Sequence, residues 1–246
     1  MASRLLYLED FNVISGEAGV VGIEKTEDNR TAIILDQTCF YPRGGGQDWD
    51  TGTIEGEKGI FQVLEVRLDE QGIVHHIGTF GSGEFSTGDA VKLNVNPKTR
   101  EINTRLHSAG HLIDMAMTEL KPDWVPVRGA HYPHMSFVEY QVPAEEQIDE
   151  TFIGQVQETV TKLAGSSYEN QLRFMPKDEM AKYCRHIPDN IPANKPSRIV
   201  LYADDFGIPC GGTHVKNVRE VGEVTVTKAK IKKGLAKVSY AVAGIN

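Results

Sequence analysis

His107 and His111 stand four positions apart in RLHSAGHLIDMAM, and Cys210 and His214 stand four apart in PCGGTH. On a helix a four-residue step puts two imidazoles on one face, a turn apart. In a loop, Gly211 and Gly212 let the backbone bend until a thiol and an imidazole turn onto one point. Three imidazole nitrogens and a thiolate are donors that borderline-soft Zn²⁺ prefers. Each pair alone is a weak signal in a chain with eight histidines. Two half-buried helix histidines and a buried loop cysteine are the competing account on residue types alone.

Two zinc chemistries are excluded. A helical zinc peptidase needs glutamate beside the first histidine, and this chain has Ser108 there. The paired CxxC of a zinc ribbon or nucleotide deaminase is missing, because Cys39, Cys184 and Cys210 are far apart. Three cysteines also make no disulfide scaffold, so thiols or one metal-bound thiolate are expected.

The elements that must position these donors are legible in outline. Asn96 as a cap, Pro97 at the first helical position and a stripe of Leu106, Ala109, Ile113, Met117 and Leu120 predict a helix that Pro122 stops. A second helix is predicted from about 144 to 164, with Ile148, Phe152, Val156, Val160 and Leu163 on one face. A short helix is predicted over 176–183. Before residue 95 the chain reads as short strands at 20–24, 31–35, 61–67, 73–77 and 90–95, the pattern of a small barrel or sandwich. Residues 78–91, GTFGSGEFSTGDAV, read as a turn-rich connection. Later strands are expected at 134–140, near Gln171, and at 198–203, 223–228 and 235–241. The fold class expected is α+β: an N-terminal β-barrel-like domain at 1–95, then an α+β domain at 96–246 with an antiparallel sheet and two long helices.

Length and composition agree with such a chain. Its 246 residues, 40% hydrophobic and 24% charged, suit a soluble globular protein with a sizeable core. No apolar run approaches the roughly 20 residues that span a bilayer, and Glu9 and Asp10 interrupt the start, so a cytoplasmic protein without a signal peptide is expected. The formal charge of −8 argues against a dedicated polyanion-wrapping protein. Between His214 and the C-terminus, however, six lysines and Arg219 face only Glu220 and Glu223. That local excess reads either as a solvated face or as a phosphate-contacting surface.

HSAGH at 107–111, CGGTH at 210–214 and VGEV at 221–224 together resemble the alanyl-tRNA editing proteins, freestanding relatives of the editing domain of alanyl-tRNA synthetase. FYPRGGGQDWDTGTI, from Phe40 to Ile54, resembles the glycine-rich motif that precedes that domain in the longer members, which extends the likeness over nearly the whole chain. The resemblance implies a zinc-dependent deacylase that removes serine, and to varying degrees glycine, from mischarged alanine tRNA. By motif match His107, His111, Cys210 and His214 are the zinc residues, with His107, His111 and Ser108 at the reaction centre. Ser108 stands where many relatives have threonine, beside the bound aminoacyl group. Gly44, Gly45, Gly46 and Gln47 would close over and shape the pocket, although composition alone makes them a turn. Lys230, Lys232, Lys233 and Lys237 are the candidate tRNA contacts, with Lys237 where relatives commonly have arginine.

The cofactor expected is Zn²⁺ and the partner a mischarged tRNA, with no membrane, no DNA and a monomer as the working state. Two rivals stay open: a deacylase for another mischarged tRNA, such as serine on threonine tRNA, and a non-catalytic zinc-containing RNA-binding module. Asp204 and Asp205 are candidates to support the ligands or are simply exposed loop acids. His75, His76, His131, His134 and His186 read as structural or exposed, with the three-residue step from His131 to His134 worth inspection.

Overall fold

The computed structural model describes residues 2–245 and divides into two compact units, one up to Glu101 and one from Ile102 on. The division falls inside a helix, α2.

The first unit begins with a short strand β1 (Arg4–Leu5) and a single helical turn α1 (Leu6–Glu9). β1 pairs in parallel with β4 (Gln37–Thr38). The rest is a closed barrel of β2 (Ser15–Lys25), β3 (Thr31–Leu35), β5 (Gly52–Gly56), β6 (Gly59–Leu68), β7 (Val74–Gly83) and β8 (Ala90–Val95), in the order β2-β3-β7-β6-β5-β8. All its pairings are antiparallel. Alternation supplies the interior: Val91, Leu93 and Val95 of β8 point inward with Phe61, Val63, Ile33, Leu35 and Ile54. Register shifts in β2 and β6 give the local bends by which so few strands close.

The stretch expected as a connection after residue 78 is largely strand. β7 runs on to Gly83, and its glycines are there for close backbone approach: a Cβ at Gly78 would collide with the Gln62 carbonyl oxygen of the neighbouring strand. β5 was not anticipated, because five residues with one buried apolar side chain, Ile54, carry almost no periodic signal.

A buried ion pair ties this unit to its last residues. Arg100 Nη2 lies 2.5 Å from Asp50 Oδ2, and the same guanidinium donates to the carbonyls of Phe11, Val13 and Cys39. Each donor is answered, which a charge in the interior requires.

The second unit contains most of α2 (Pro97–Leu120), then β9 (Val125–Tyr132), β10 (Met135–Gln141), α3 (Phe152–Ala164), β11 (Gln171–Met175), β12 (Ser197–Ala203), β13 (Phe206–Pro209), β14 (Val224–Lys232) and β15 (Leu235–Val242). One antiparallel sheet has the order β14-β15-β10-β9 and a second the order β11-β12-β13. Short 3₁₀ turns occupy Lys177–Lys182, within the predicted 176–183 helix, and Val218–Val221.

α2 starts as expected, with Asn96 Oδ1 accepting from the amides of Lys98 and Thr99. Its stripe enters one core with Val156 and Val160 of α3, Val138 and Tyr140 of β10, Val224 and Val226 of β14 and Val238 of β15. Leu112 and Ala116 are buried too, so from Leu106 to Met117 the helix is covered over more than one face. α3 begins at Phe152 rather than near 144. Glu145 adopts a left-handed φ of 64°, and Asp149 Oδ1 accepts from the Thr151 amide and hydroxyl, so residues 144–151 turn instead of winding. Among the described residues no helix is long and apolar enough to cross a membrane.

Candidate metal centre

α2 presents His107 and His111 one turn apart, and the loop after β13 presents Cys210 and His214. One ligand atom from each of the four lies within 4.8 Å of every other. Cys210 Sγ is 3.4 Å from His107 Nε2 and 3.4 Å from His214 Nε2. A tetrahedral zinc ion with ordinary bond lengths would set nitrogen and sulfur about 3.5 Å apart, so the spacing fits one ion. His107, His111 and His214 are buried and Cys210 is partly so.

The electrostatics suit the same use. Burial pushes His111 down to about 3 and holds His107 and His214 well below the ordinary imidazole range, with each other, His131 and Arg198 adding repulsion. Neutral imidazoles keep a lone pair free for a metal. Burial also pushes the Cys210 thiol up, against the pull of the Arg198 guanidinium and the Gly212 amide, which donates to Sγ at 3.3 Å. His111 Nδ1 is sealed inside with no hydrogen-bond partner among the described residues, a state that calls for an ion or water.

A surrounding layer holds the donors in place. Arg198, buried on β12, donates from Nε to the Cys210 carbonyl at 2.7 Å and from Nη2 to the Gly212 carbonyl, clamping the CGG turn. Tyr202, also on β12, sits with its hydroxyl 2.7 Å from His214 Nδ1. Ser108 Oγ accepts the Val215 amide at 3.1 Å and acts on the Tyr202 phenol, tying α2 to the segment just past His214. The Thr104 and Thr213 hydroxyls meet at 2.7 Å. Gly222, at φ 77°, leaves room for Arg105, which holds the Val221 and Ala243 carbonyls, so VGEV is a structural corner.

His131 of β9 stacks on His107, with ring centroids 4.8 Å apart and planes 18° from parallel. Its Nδ1 is 2.6 Å from the Tyr240 hydroxyl, and burial pushes the ring down to about 4. Arg198, Tyr202 and Tyr240 were not singled out from the sequence, since each lies in a strand pattern and gains its partner from a distant segment, and His131 was read as structural or exposed. The only signal was the step from His131 to His134. Asp204 and Asp205 are exposed, and the layer around the donors is built from phenol, guanidinium and hydroxyl groups.

The other predicted residues lie on other elements. Gly44 to Gln47, in the first unit, form a tight turn in which Gly44 and Gln47 exchange amide–carbonyl bonds of 3.2 and 2.9 Å, with φ of 54° at Gly45 and 77° at Gly46. Gln47 is buried. Lys230, Lys232 and Lys233 are exposed on the β14–β15 hairpin, whose turn uses left-handed Lys233 and Gly234. Lys237 is half-buried, its Nζ 3.3 Å from the Phe137 ring centre and 3.8 Å from Glu139.

Residues 12–99 match the family model of class II (A) tRNA synthetases. Along its length it is 32% identical to the alanyl-tRNA editing protein AlaX-M of Saccharolobus solfataricus, over 96% of this chain and 98% of that protein. The chain belongs to the alanyl-tRNA editing protein family. It is also 27% identical to the alanyl-tRNA editing protein AlaX-L of Pyrococcus horikoshii, over 98% of this chain and 58% of that protein. The alanine–tRNA ligase of Clostridioides difficile is 29% identical over 86% of this chain. The chain spans about a quarter of the length of the alanine–tRNA ligases it matches.

Proposed function

We propose that the chain is a trans-editing deacylase, a zinc-dependent carboxylic ester hydrolase that frees serine, and secondarily glycine, from mischarged alanine tRNA. The observation that carries this reading is the convergence within 4.8 Å of three histidines and a cysteine drawn from two distant segments, in a chain that aligns over 96% of its length with 98% of a freestanding alanyl-tRNA editing protein. His107, His111, Cys210 and His214 would hold the zinc, which when bound supplies positive charge near the ester carbonyl. Arg198 and the Gly212 amide oppose the rise that burial imposes on the Cys210 thiol, which a bound metal would overcome, and Tyr202 orients His214. Ser108 serves the centre through Val215 and Tyr202, and its hydroxyl proton is the group it could offer an aminoacyl side chain.

In this proposal residues 96–246 are the editing domain. Lys230, Lys232 and Lys233 take tRNA phosphates, in a cytoplasmic setting. Selection against alanine must reward the serine hydroxyl with hydrogen bonds, because a pocket that only excluded larger side chains could not spare the smaller amino acid.

Four protein donors are also the set of a structural zinc site. The test is release of amino acid from a panel of charged tRNAs, with and without chelator. Release from seryl-tRNA for alanine, none from correctly charged alanyl-tRNA, and loss of release with chelator are expected. No release from any member would make the chain a non-catalytic zinc module, and release only from a threonine tRNA would redirect its specificity.

A further inference from the structure

Tyr240 of β15, Ser136 of β10 and His131 of β9 are cross-strand neighbours in one row, so their side chains share one face of the sheet. The small serine lets the outer two meet. Tyr240 Oη lies 2.6 Å from His131 Nδ1 and 2.8 Å from the Leu106 carbonyl oxygen on α2. A carbonyl only accepts, so the phenol proton goes to Leu106; the Ser136 hydroxyl, also a partner of the phenol, gives its own proton to the Tyr132 carbonyl, so the bond from His131 to the phenol oxygen is donated by Nδ1. The ring therefore carries its proton on Nδ1 and a bare lone pair on Nε2. Nε2 makes no hydrogen bond among the described residues.

Two glycines keep the ring where it is. A Cβ at Gly110 would strike the Cε1 edge, and one at Gly129 would sit 2.6 Å from Nε2. Gly110 lies between the two helix histidines and Gly129 two residues before His131 on the same face of β9. The space is cleared from both elements for an imidazole of one tautomer, stacked on His107.

Ester hydrolysis needs a water whose lone pair faces the carbonyl carbon, hence an acceptor that turns its O–H bond away. A tetrahedral centre filled by four protein donors cannot provide that acceptor, and the donor cluster contains no carboxylate. We infer that His131 is a positioning residue for the deacylation, its Nε2 accepting a hydrogen bond from the attacking water; the inference rests on the deacylase reading above. The water oxygen bonds to the ester carbonyl carbon and the bond from that carbon to the ribose oxygen breaks. One water proton ends on the ribose hydroxyl, and the amino acid leaves as carboxylate plus a proton.

Single-turnover deacylation of seryl-tRNA for alanine by the full chain, with metal content measured in parallel, tests this. His131→Ala and His131→Asn should lower the rate at saturating enzyme by about 10- to 100-fold, with half-saturating concentration and metal content unchanged. His131→Gln, whose amide reaches the level of Nε2, should return to within about fivefold of the unsubstituted chain, whereas asparagine reaches only the level of Nδ1. Tyr240→Phe should lose about tenfold because the tautomer is no longer fixed. Glutamine doing no better than asparagine, metal lost in step with rate, or an undiminished rate in His131→Ala would each overturn the inference alone. An unsubstituted chain inactive on every charged tRNA would remove the deacylase reading, and this inference with it.

Discussion

The Tyr202 hydroxyl, 2.7 Å from His214 Nδ1, decides which nitrogen His214 turns toward Cys210. With Nε2 directed at Sγ, Nδ1 carries the proton and donates to the phenol, the arrangement by which an outer hydrogen bond fixes a metal-binding imidazole. Tyr202→Phe removes that acceptor and leaves a buried N–H unanswered, at a cost of about 1 to 3 kcal/mol. Zinc affinity, measured by chelator competition, should weaken by about 10- to 100-fold while the fold persists. Unchanged affinity would mean that packing alone holds the ring.

Cys210→Ala should lose both metal and deacylation, because it takes the only sulfur from the donor set. Cys184→Ala is the control. Its thiol, which burial pushes up to about 11, packs with Met175, Met180, Ile199 and Leu201 away from the four donors. Metal analysis of both purified variants should find about one equivalent in the Cys184 variant and far less in the Cys210 variant. Equal metal in both would sink the proposed ligand set.

How much could be read from the chain depended on whether a residue's role is local. The start of α2 was legible because Asn96 and Pro97 act on amides two or three residues away, and the two four-step donor pairs announce themselves by spacing. β9 was not anticipated. It is an edge strand with Val125 and Val127 exposed and Pro126 between them, so its alternation does not separate a buried from a solvated face. Tyr202 sits in IVLYA, which reads as a buried strand with no hint of His214. His131 reads as structural because its space is made by Gly110 and Gly129 and its proton placed by Tyr240, and no short window of sequence contains all of them.

Ser108 is a case where geometry adds to the motif. Its oxygen already accepts the Val215 amide, and the residue is fully buried. Ser108→Ala should therefore slow release of serine and glycine to a similar degree, and lower stability by about 1 to 2 kcal/mol through the orphaned amide. Single-turnover rates on both substrates are the measurement. A selective loss on seryl-tRNA would instead show the hydroxyl touching the serine side chain.

His76 should make the barrel unit acid-sensitive. Its Nδ1 is 2.9 Å from the Ile33 carbonyl and its Nε2 2.8 Å from the Thr38 hydroxyl, so the neutral ring is fully satisfied. Burial, the largest cause, pushes its pKa from 6.5 down to about 4. Between those values the unfolded chain binds the proton and the folded one does not. The stabilisation is thus complete above pH 6.5 and is lost as pH falls toward 4, by about 3 kcal/mol in all. Denaturant unfolding from pH 7.5 to 4.5 should show the stability gap between the unsubstituted chain and His76→Gln narrowing by most of that amount. A gap independent of pH would refute the assignment.

The lysines of the last hairpin divide by what each ammonium touches. Lys230, Lys232 and Lys233 are exposed, and phosphate contacts there would release counterions, so affinity for tRNA should fall with salt more steeply than without them. Replacing all three with glutamine should weaken binding and flatten the slope of log affinity against log salt by about 2, with the deacylation rate at saturation kept. Lys237 should behave differently. Its Nζ lies over the Phe137 ring and near Glu139, which also pairs with Arg128 at 2.9 Å, so its charge is already engaged within the sheet. Lys237→Gln should lower the melting temperature slightly and leave the salt slope within error, because the lost contacts are intramolecular. Binding titrations at several salt concentrations on both variants decide the matter. An unchanged slope in the triple variant would return the cluster to an ordinary solvated face, and a slope flattened by Lys237→Gln alone would place that residue, against its packing, on the tRNA.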